Sequence, residues 1–556
     1  MSPGSPHTRH GIFILFRHLR LPLVVLILVY AVVVLGFTLV PGVDPAGQPW
    51  RMSFLHAFYF VSFLGTTIGL GEIPHPFSDA QRLWATGAIY ATVTAWLYAV
   101  GATFGVLRDA TFRRVVREER FERAVRRLRK PFYLLCGYGD SGQRVAHELA
   151  EDGVGLVVID IEEDRVDEVD LNNLQVTAPA LVADACDPMS LQRAGLSHPL
   201  CTGVLALTGS DATNTAISLS ARMLSPALPV LCAARNHAWH ARMAASGADH
   251  IINPYDTFAQ RVALSIRVPS LHVIYEALTA QVRTPMDEPQ HIPRGHWILC
   301  GSDLFVHALQ RELGMMRIEC TVIDGSAGAV ADKAGYIAGD PTDPAVLRGA
   351  GAEKAAVLVA GTAIETDNLT ITLAARAINK HLFIVARQVQ RRNSMVFRAS
   401  PADLVTVSSY VLSAEVLRHI RTPLLSRFLS RSLEQGEAWA GDVLQRLRIL
   451  IGDEILESWS IRIAPAVAPT VCRVLQGGET VTLERLMTRT DGTGKKVRAL
   501  PLLLQRGREP TLLPPLDMPL TVDDEVLFCG SDRARSTMRH TIMARSLAVV
   551  AGDAAP

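Results

Sequence analysis

The chain has 556 residues, and 55 Lys and Arg against 54 Asp and Glu leave a net charge of +1. This balance excludes the global basic field that would favour nucleic acid as a partner. A hydrophobic content of 49% with only 20% charged residues excludes a mainly disordered chain. At roughly 100–200 residues per domain, the length predicts about three to five domains. The 8 cysteines form no CxxC pair, so we expect buried, unpaired thiols rather than disulfides or a zinc site.

Two long runs near the start of the chain carry no formal charge, residues 21–43 and 83–107. Each exceeds the roughly 20 residues that a helix needs to cross a bilayer, so both are predicted transmembrane helices. Basic residues flank them, within residues 1–20 on one side and within residues 108–130 on the other. The positive-inside rule therefore predicts a multi-pass membrane protein with both termini in the cytoplasm.

Residues 52–71 form a third uncharged run, between the two predicted spans. A third crossing would place one basic flank outside, and the glycines of this run are poor helix formers. The sequence therefore predicts a short helix over residues 52–64, followed by a non-helical segment that re-enters the outer face. Such backbone is tolerated at membrane depth where it lines a water-filled path. The predicted segment consists of Thr66, Thr67, Ile68, Gly69, Leu70, Gly71 and Glu72.

This order of elements resembles the pore module of tetrameric potassium channels, whose filter typically reads T-V-G-Y-G-D. The resemblance implies a homotetramer in which backbone carbonyls and the Thr67 hydroxyl replace the water shell of K⁺. Leu70 stands where tyrosine is usual and Glu72 where aspartate is usual. These departures leave a less selective monovalent cation channel as an alternative. Gly101 and Gly105 in the second span are candidates for a gate hinge or for close helix packing.

Beyond residue 131 the pattern changes to alternating apolar strands and helical stretches. An apolar strand over residues 132–136 leads into a G-x-G-x-x-G turn, and Asp160 follows 18 residues after the last glycine, at the end of the next strand. This setting is typical of dinucleotide-binding folds, in which the glycines admit a pyrophosphate and the acid accepts from ribose hydroxyls. The carboxylate should repel a 2′-phosphate, so NAD(H) or an adenine nucleotide is the predicted ligand. The candidate nucleotide-binding residues are Gly137, Tyr138, Gly139, Asp140, Ser141, Gly142, Asp160, Asp184 and Arg235.

The same pattern recurs about 160 residues later in the chain. Leu-Cys-Gly at 135–137 matches 299–301, Val-Ile-Asp at 158–160 matches 322–324, and Ala-Arg at 234–235 matches 386–387. The sequence thus predicts two copies of one domain. In the second copy Asp303 and Val306 replace the second and third glycines. We expect this copy not to bind a dinucleotide in the ordinary way, because Asp303 places a carboxylate where the pyrophosphate would lie.

Two such domains behind a two-span pore resemble the regulator-of-potassium-conductance (RCK) domains, of the TrkA N-terminal type, in prokaryotic potassium channels. The resemblance implies a cytoplasmic gating ring, crossover helices in 254–283 and in 408–431, and a strand-rich TrkA-C-like lobe from about residue 455 to 542. The predicted fold class is a membrane α-helical pore module fused to two α/β Rossmann-like domains and this lobe. The predicted segments are an N-terminus at 1–20, a pore module at 21–107, a linker at 108–130, RCK domains at 131–290 and 291–440, a C-terminal lobe at 441–545 and a tail at 546–556.

Other functions are weaker candidates. A membrane-anchored NAD-dependent oxidoreductase would explain the glycine turn, but it leaves residues 66–72 without a role, and we expect no enzyme. A regulatory subunit of a separate transporter would need no pore. The acidic residues between 162 and 170 leave a divalent cation as a further candidate ligand, although a solvated helix face is the simpler interpretation. The histidines at 237, 240 and 250 have no metal-site spacing.

Overall fold

The computed structural model describes residues 6–44, 48–279, 292–325, 335–452, 456–488 and 495–543. The predicted tail at 546–556, residues 280–283 of the first crossover and Ile455 lie outside these residues. Two compact units form, Met1–Arg127 and Leu128–Pro556. We call them the N-terminal unit and the C-terminal unit, and each is described by itself.

The N-terminal unit is built on two long apolar helices. Its elements are α1 (Pro6–Leu39), β1 (Gly42–Val43), β2 (Pro49–Trp50), α2 (Phe54–Gly65), α3 (Asp79–Arg108) and α4 (Ala110–Arg126). By length and composition, Leu19–Leu39 and Asp79–Gly105 could each cross a membrane. The first helix ends four residues before the predicted span does, at Leu39, and the second starts four residues earlier than predicted.

Helices α1 and α3 run antiparallel. The indole Nε1 of Trp84 donates to the carbonyl of Val33 at 3.2 Å, and further along α3 the Nε1 of Trp96 lies 3.0 Å from the hydroxyl of Tyr30. An apolar cluster joins these helices to α2, with Phe37 and Phe60 at its centre. The ring centroids of these two residues are 4.9 Å apart. The short helix α2 is therefore held by its own apolar face.

The C-terminal unit begins with repeat 1, a six-stranded sheet covered by helices. The order β5-β4-β3-β6-β7-β8, with every pair parallel, is that of a Rossmann fold. The bounds are β3 (Phe132–Cys136), α5 (Asp140–Glu151), β4 (Gly155–Asp160), α6 (Glu163–Leu171), β5 (Ala180–Val182), α7 (Pro188–Arg193), β6 (Cys201–Ala206), α8 (Asp211–Leu224), β7 (Val230–Ala233), α9 (His237–Ala245) and β8 (His250–Ile252). Strands β3 and β4 are almost wholly buried, as parallel strands covered on both faces should be.

Repeat 2 has the same sheet order, β11-β10-β9-β12-β13-β14, again with every pair parallel. The predicted duplication into parallel-sheet, Rossmann-like domains is thereby confirmed. The bounds are β9 (Trp297–Cys300), α12 (Leu304–Met315), β10 (Cys320–Asp324), β11 (Tyr336–Ala338), α13 (Pro344–Gly349), β12 (Val357–Ala360), α14 (Glu365–Ile378), β13 (Phe383–Gln388), α15 (Ser394–Ala399) and β14 (Leu404–Val407).

The helices that leave each repeat are broken by a proline. Repeat 1 is followed by α10 (Pro254–Arg267) and α11 (Pro269–Thr279), and repeat 2 by α16 (Ser408–Arg421) and α17 (Pro423–Leu433). The prediction of one continuous crossover helix over 408–431 is wrong, because Pro423 has no N–H to continue α16 and restricts Thr422 before it.

The two repeats exchange their exit helices. Phe258 and Val262 of α10 lie in the core of repeat 2, together with Trp297 and Phe305. The hydrophobic face of α16, around Leu412 to Leu417, lies in the core of repeat 1. Each Rossmann core is therefore completed by a helix that follows the other repeat.

The remaining elements form a third region beyond α17. They are α18 (Gly436–Ile451), β15 (Glu457–Arg462), α19 (Pro469–Gln476), α20 (Leu483–Leu486), β16 (Ala499–Arg506), β17 (Glu509–Leu512), β18 (Glu525–Gly530) and α21 (Asp532–Met543). The sheet order is β15-β18-β16-β17, antiparallel throughout. Helices α11, α17 and α18 share a core with one face of this sheet.

Candidate functional sites

Residues 66–72 of the N-terminal unit leave α2 without forming a further helix or strand. Thr67, Gly69 and Gly71 have φ angles of +61°, +66° and +91°, and the residues between them do not. A left-handed conformation is uncommon for threonine, so Thr67 is held there by its surroundings. Its N–H donates to the carbonyl of Leu64 at 3.1 Å, and that of Ile68 to the carbonyl of Phe63 at 3.0 Å. The start of the segment is thus fixed to the last turn of α2.

The end of the same segment is held by an ion pair. Glu72 accepts from the guanidinium of Arg82 at 2.9 Å and from the backbone N–H of Phe77 at 2.8 Å. Leu70, in contrast, is exposed and has no hydroxyl to donate. Sequence reasoning missed Arg82, which lies ten residues beyond its partner.

The two candidate hinge glycines lie inside a continuous helix. Helix α3 runs through Gly101 and Gly105 without interruption. A Cβ at either position would meet no atom within 4 Å among the described residues. Neither glycine packs closely within the N-terminal unit, and the hinge role stays a prediction.

The glycine turn of repeat 1 connects β3 to α5, and its three glycines serve different purposes. Gly137 has a φ of +99°, and a Cβ there would lie 2.9 Å from the backbone of Leu207. A Cβ on Gly142 would lie 2.1 Å from the carbonyl oxygen of Gly137, so the turn of repeat 1 requires both glycines. At Gly139 a Cβ would meet only the guanidinium of Arg165, at 3.7 Å. Packing does not require the second glycine, and the space beside it is open.

Helix α5 starts at this open glycine without a side-chain cap. Its N-cap is Gly139, which makes no side-chain hydrogen bond to the first N–H groups of the helix. These groups and the helix dipole together favour an anion at this point. The start of α5 is therefore a candidate phosphate site.

Asp160 is more enclosed than its predicted contact with ribose suggests. Its side chain is only 3% exposed. One oxygen accepts from the N–H of Tyr138 at 2.6 Å, and the other from the N–H of Glu162 at 3.0 Å. The carboxylate therefore braces the glycine turn, in addition to lining the cleft described next.

A cleft of about 860 Å³ opens beside the turn. From repeat 1 it is lined by candidate residues Gly137, Gly139, Asp140, Ser141, Asp160, Asp184 and Arg235. Its far wall comes from the other repeat and the exit helices, and includes Tyr255, Arg387 and Ser408. Sequence reasoning did not assign this wall, because its residues lie more than 100 positions from the glycine turn. The recurrence of Ala-Arg at 386–387 is the one signal that pointed to Arg387.

Two of the candidate nucleotide-binding residues do not line this cleft. The side chain of Tyr138 is fully buried in the core of repeat 1, and its hydroxyl accepts from Asn172 at 3.2 Å. The prediction that Tyr138 contacts the ligand is therefore corrected, because its side chain is buried and its backbone N–H donates to Asp160. Gly142 acts through packing alone. Both residues shape the turn rather than face a ligand.

In repeat 2 the corresponding helix is capped. Asp303 is the N-cap of α12, and its carboxylate accepts from the N–H groups of Phe305 and Val306 at 3.1 and 3.3 Å. The other carboxylate oxygen pairs with Arg387, which is 5% exposed. Val306 is fully buried against this turn. Asp303 thus fills the position that repeat 1 leaves open at Gly139.

The cysteines and acidic residues form no further site in the described part of the chain. All 8 thiols are unpaired, six are buried, and Cys186 and Cys320 are half-buried. Burial raises the pKa of Cys232 to about 12 and that of Cys201 to about 11, so both remain protonated. Among the described residues no three His, Cys, Asp or Glu side chains are grouped as metal ligands. Glu162, Asp164 and Glu168 lie along one side of the cleft.

Comparison with known proteins agrees with the duplicated fold. A family model described as the TrkA-N domain matches residues 133–254 and again residues 297–408. These ranges cover repeats 1 and 2. Fold and sites together define a protein with tandem TrkA-N domains preceded by two apolar helices.

The chain is similar to two proteins of Methanocaldococcus jannaschii. It is 25% identical to potassium channel protein 1 over 230 residues, which are 41% of this chain and 66% of that protein. It is 26% identical to probable potassium channel protein 2 over 246 residues, 44% of this chain and 66% of that protein. The matched segments thus span just under two thirds of either relative. A solved structure described as the GsuK channel bound to NAD is 16% identical, covers 96% of this chain and 100% of that chain, and has a TM-score of 0.44.

The predicted resemblance to potassium channels with RCK domains is confirmed by these matches. Repeats 1 and 2 match the TrkA-N domain model, and the chain is similar to proteins named as potassium channels.

Proposed function

We propose that this chain is a ligand-gated potassium channel. Four copies would surround one pore in the plasma (inner) membrane, with both termini and the C-terminal unit in the cytoplasm. NAD(H) or an adenine nucleotide in the cleft of repeat 1 would open or close the pore. The observation that carries the proposal is the alternating backbone of residues 66–72, at the end of a short helix between two membrane-length helices.

The alternation supports a filter for a physical reason. Residues of alternating handedness can turn successive peptide groups to the same side, which gives a row of carbonyl oxygens on one face. Rings of such oxygens replace the hydration shell of K⁺ in selective pores. Thr67, Gly69 and Gly71 have this handedness. Two of the three are glycines, which adopt it without steric cost.

A single chain supplies one such row and cannot enclose a pore alone. Within the N-terminal unit only 22% of either span is buried, which leaves large apolar faces. Leu97 and Ile27 are among the exposed residues. Lipid and three further copies of the chain would cover these faces.

The alternative of a less selective cation channel depends on Leu70. No hydroxyl braces the filter at this position, whereas the ion pair between Glu72 and Arg82 holds its outer end. We propose that this pair takes over part of the bracing. The names of the relatives favour a channel over an oxidoreductase.

The nucleotide site rests on the open, uncapped start of α5. Gly139 leaves room for a pyrophosphate, and as the N-cap it provides no side-chain acceptor for the first N–H groups of the helix. Asp160 lines the cleft and would disfavour a 2′-phosphate, so NAD(H), ADP or ATP would be preferred over NADP. The site's far wall includes Arg387 of repeat 2 and residues of both exit helices, so a ligand would contact both repeats.

This shared wall suggests how binding would reach the pore. A ligand shifts a gate only by its difference in affinity between two arrangements. A cleft with one wall on each repeat gives such a difference whenever the angle between the repeats changes. The exchanged helices α10 and α16 would carry that change through the ring, and the linker at 108–130 would pass it to the second span.

Flux of K⁺ into proteoliposomes tests the proposal. NAD⁺, NADH, ADP, ATP and Ca²⁺ are added in turn, and we expect at least one nucleotide to change the flux of the wild-type protein. Gly69→Ala should abolish flux, because alanine disfavours the φ of +66° that the carbonyl row needs. Gly153→Ala is a matched control, since Gly153 has a φ of +73° and equally open surroundings in repeat 1. Undiminished flux in a folded Gly69→Ala protein would overturn the filter assignment.

A further inference from the structure

The two repeats differ most at the start of their first helix. In repeat 1, α5 starts at a glycine and its first N–H groups have no side-chain cap. In repeat 2, α12 starts at Asp303, whose carboxylate accepts from two of those groups. The favourable anion position at a helix start is thus open in one repeat and filled in the other.

The carboxylate of Asp303 is held by Arg387 as well as by the N–H groups of α12. Arg387, at the end of β13, forms an ion pair with Asp303 and donates to the carbonyl of Gly361 at 3.0 Å. Its guanidinium also donates to the hydroxyl of Tyr255 at 3.2 Å. The rings of Tyr255 and Phe305 lie about 5 Å from the guanidinium carbon, at 5.1 and 5.0 Å. These contacts hold the guanidinium beside the start of α12, where its positive charge is matched by the carboxylate of Asp303.

We propose that Asp303 is a built-in anion that takes the place of a ligand phosphate in repeat 2, with Arg387 as the residue that holds it. Repeat 2 is then closed without any ligand. This inference needs no nucleotide and does not depend on the pore.

The internal anion also joins three elements that are distant in sequence. Asp303 belongs to the start of α12, Arg387 to β13, and Tyr255 to α10, the exit helix of repeat 1. Arg387, paired with Asp303, therefore links that exit helix to repeat 2 through Tyr255. In repeat 1 a bound ligand would have to supply the corresponding link, because Gly139 has no side chain.

Amide hydrogen exchange of the full-length protein, read peptide by peptide, tests the proposal with inorganic phosphate as the probe. Asp303→Asn keeps a side chain that caps helices well but removes the charge, so Arg387 loses its anion. We expect phosphate to slow exchange at residues 304–309 several-fold in this variant and not in the wild type. Chloride at equal ionic strength should have no such effect. The peptide over 140–145 reports repeat 1 in the same sample, so binding there is not mistaken for binding in repeat 2.

A second substitution identifies the residue responsible. In Asp303→Asn with Arg387→Gln, the response of residues 304–309 to phosphate should disappear. The proposal is overturned if phosphate protects these residues equally in the wild type, if Asp303→Asn gains no response, or if the gain survives the loss of Arg387.

A single variant covers the case in which Asp303→Asn does not fold. Arg387→Gln leaves the Asp303 cap in place and removes the contacts of the Arg387 guanidinium with Tyr255. Exchange at residues 254–259 should become several-fold faster, while residues 140–145 remain unchanged. Unaltered exchange at 254–259 would show that the pair does not fasten the exit helix, and would equally overturn the proposal.

Discussion

Repeats 1 and 2 have the same strand order and the same glycine at the end of the first strand, yet one has an open cleft and the other an internal ion pair. The first glycine has a positive φ in both, +99° at Gly137 and +109° at Gly301. The difference lies two residues later, where repeat 1 has Gly139 and repeat 2 has Asp303 at the corresponding position. The backbone of this fold and its capacity for a ligand are therefore set by separate residues of the same motif.

The largest effect is expected when repeat 1 is given the acid of repeat 2. Gly139→Asp should cap α5 with a carboxylate and repel a pyrophosphate. We expect nucleotide affinity to fall by at least roughly tenfold to a hundredfold, about 1–3 kcal/mol. Calorimetry on the full-length protein measures it, and the parent should bind one nucleotide per chain.

Gly139→Ala is the control for this substitution. Its Cβ would meet only the end of Arg165, at 3.7 Å, so the fold should tolerate it and the affinity should change less. A Gly139→Asp protein that binds as tightly as the parent would place the nucleotide site elsewhere.

The next effect concerns the acid at the end of the second strand. Asp160→Ala removes the acceptor for the buried N–H of Tyr138, and an unsatisfied buried donor costs about 1–3 kcal/mol. We expect a lower free energy of unfolding and weaker nucleotide binding together, because the glycine turn loses its brace. Denaturant unfolding and calorimetry measure the two quantities.

Asp324→Ala makes the matched change in repeat 2, at the end of β10. It should leave nucleotide affinity unaltered. Equal losses of affinity in the two variants would contradict the assignment of the ligand to repeat 1.

The smallest predicted effect is a dependence of stability on pH where the repeats meet. His250 of β8 and His419 of α16 lie with ring centroids 4.6 Å apart. Burial lowers the pKa of both, and the positive charge of Arg418 lowers both further. Arg427 also lowers the pKa of His250, while Asp249 raises it. The carbonyl and carboxylate of Glu415 raise that of His419.

The sign of the effect follows from these lowered pKa values. Below the ordinary histidine pKa near 6.5, the unfolded chain takes up protons that the folded chain does not. The stabilisation from these neutral rings is complete above that pH and is lost as the pH falls through the lowered values. His419→Gln should therefore flatten the fall in the thermal midpoint between about pH 6.5 and 5, by roughly 1–2 °C. Substitution of the exposed His381 should leave the slope unchanged, and an unaltered slope in His419→Gln would refute the assignment.

Much of the fold could be predicted from the sequence because its signals are local. The uncharged runs, the strand-glycine-helix turn and the recurrence of Leu-Cys-Gly are each readable within a few residues. The partners of the sites are not local. Arg387 lies 84 residues from Asp303, and nothing in either neighbourhood predicts that they meet.

Two further differences between prediction and structure concern Asp160 and the second crossover. An acid at the end of a Rossmann strand predicts a ribose contact, but whether its oxygens also accept from the glycine turn depends on how the turn closes over them. The break between α16 and α17 lies at Pro423, whereas the crossover helix over 408–431 is an expectation from the resemblance to RCK domains and not from these residues.

Because α16 packs in the core of repeat 1, that core can be completed only after repeat 2 has been synthesised. Repeat 1 has left the ribosome about 150 residues before Leu412 and its neighbours, which complete the core of repeat 1. Until then the apolar surface that α16 covers is open to water or to other chains. The nascent first repeat therefore depends on the second for its last layer, and a transcript that stops between them would encode an incomplete and aggregation-prone core.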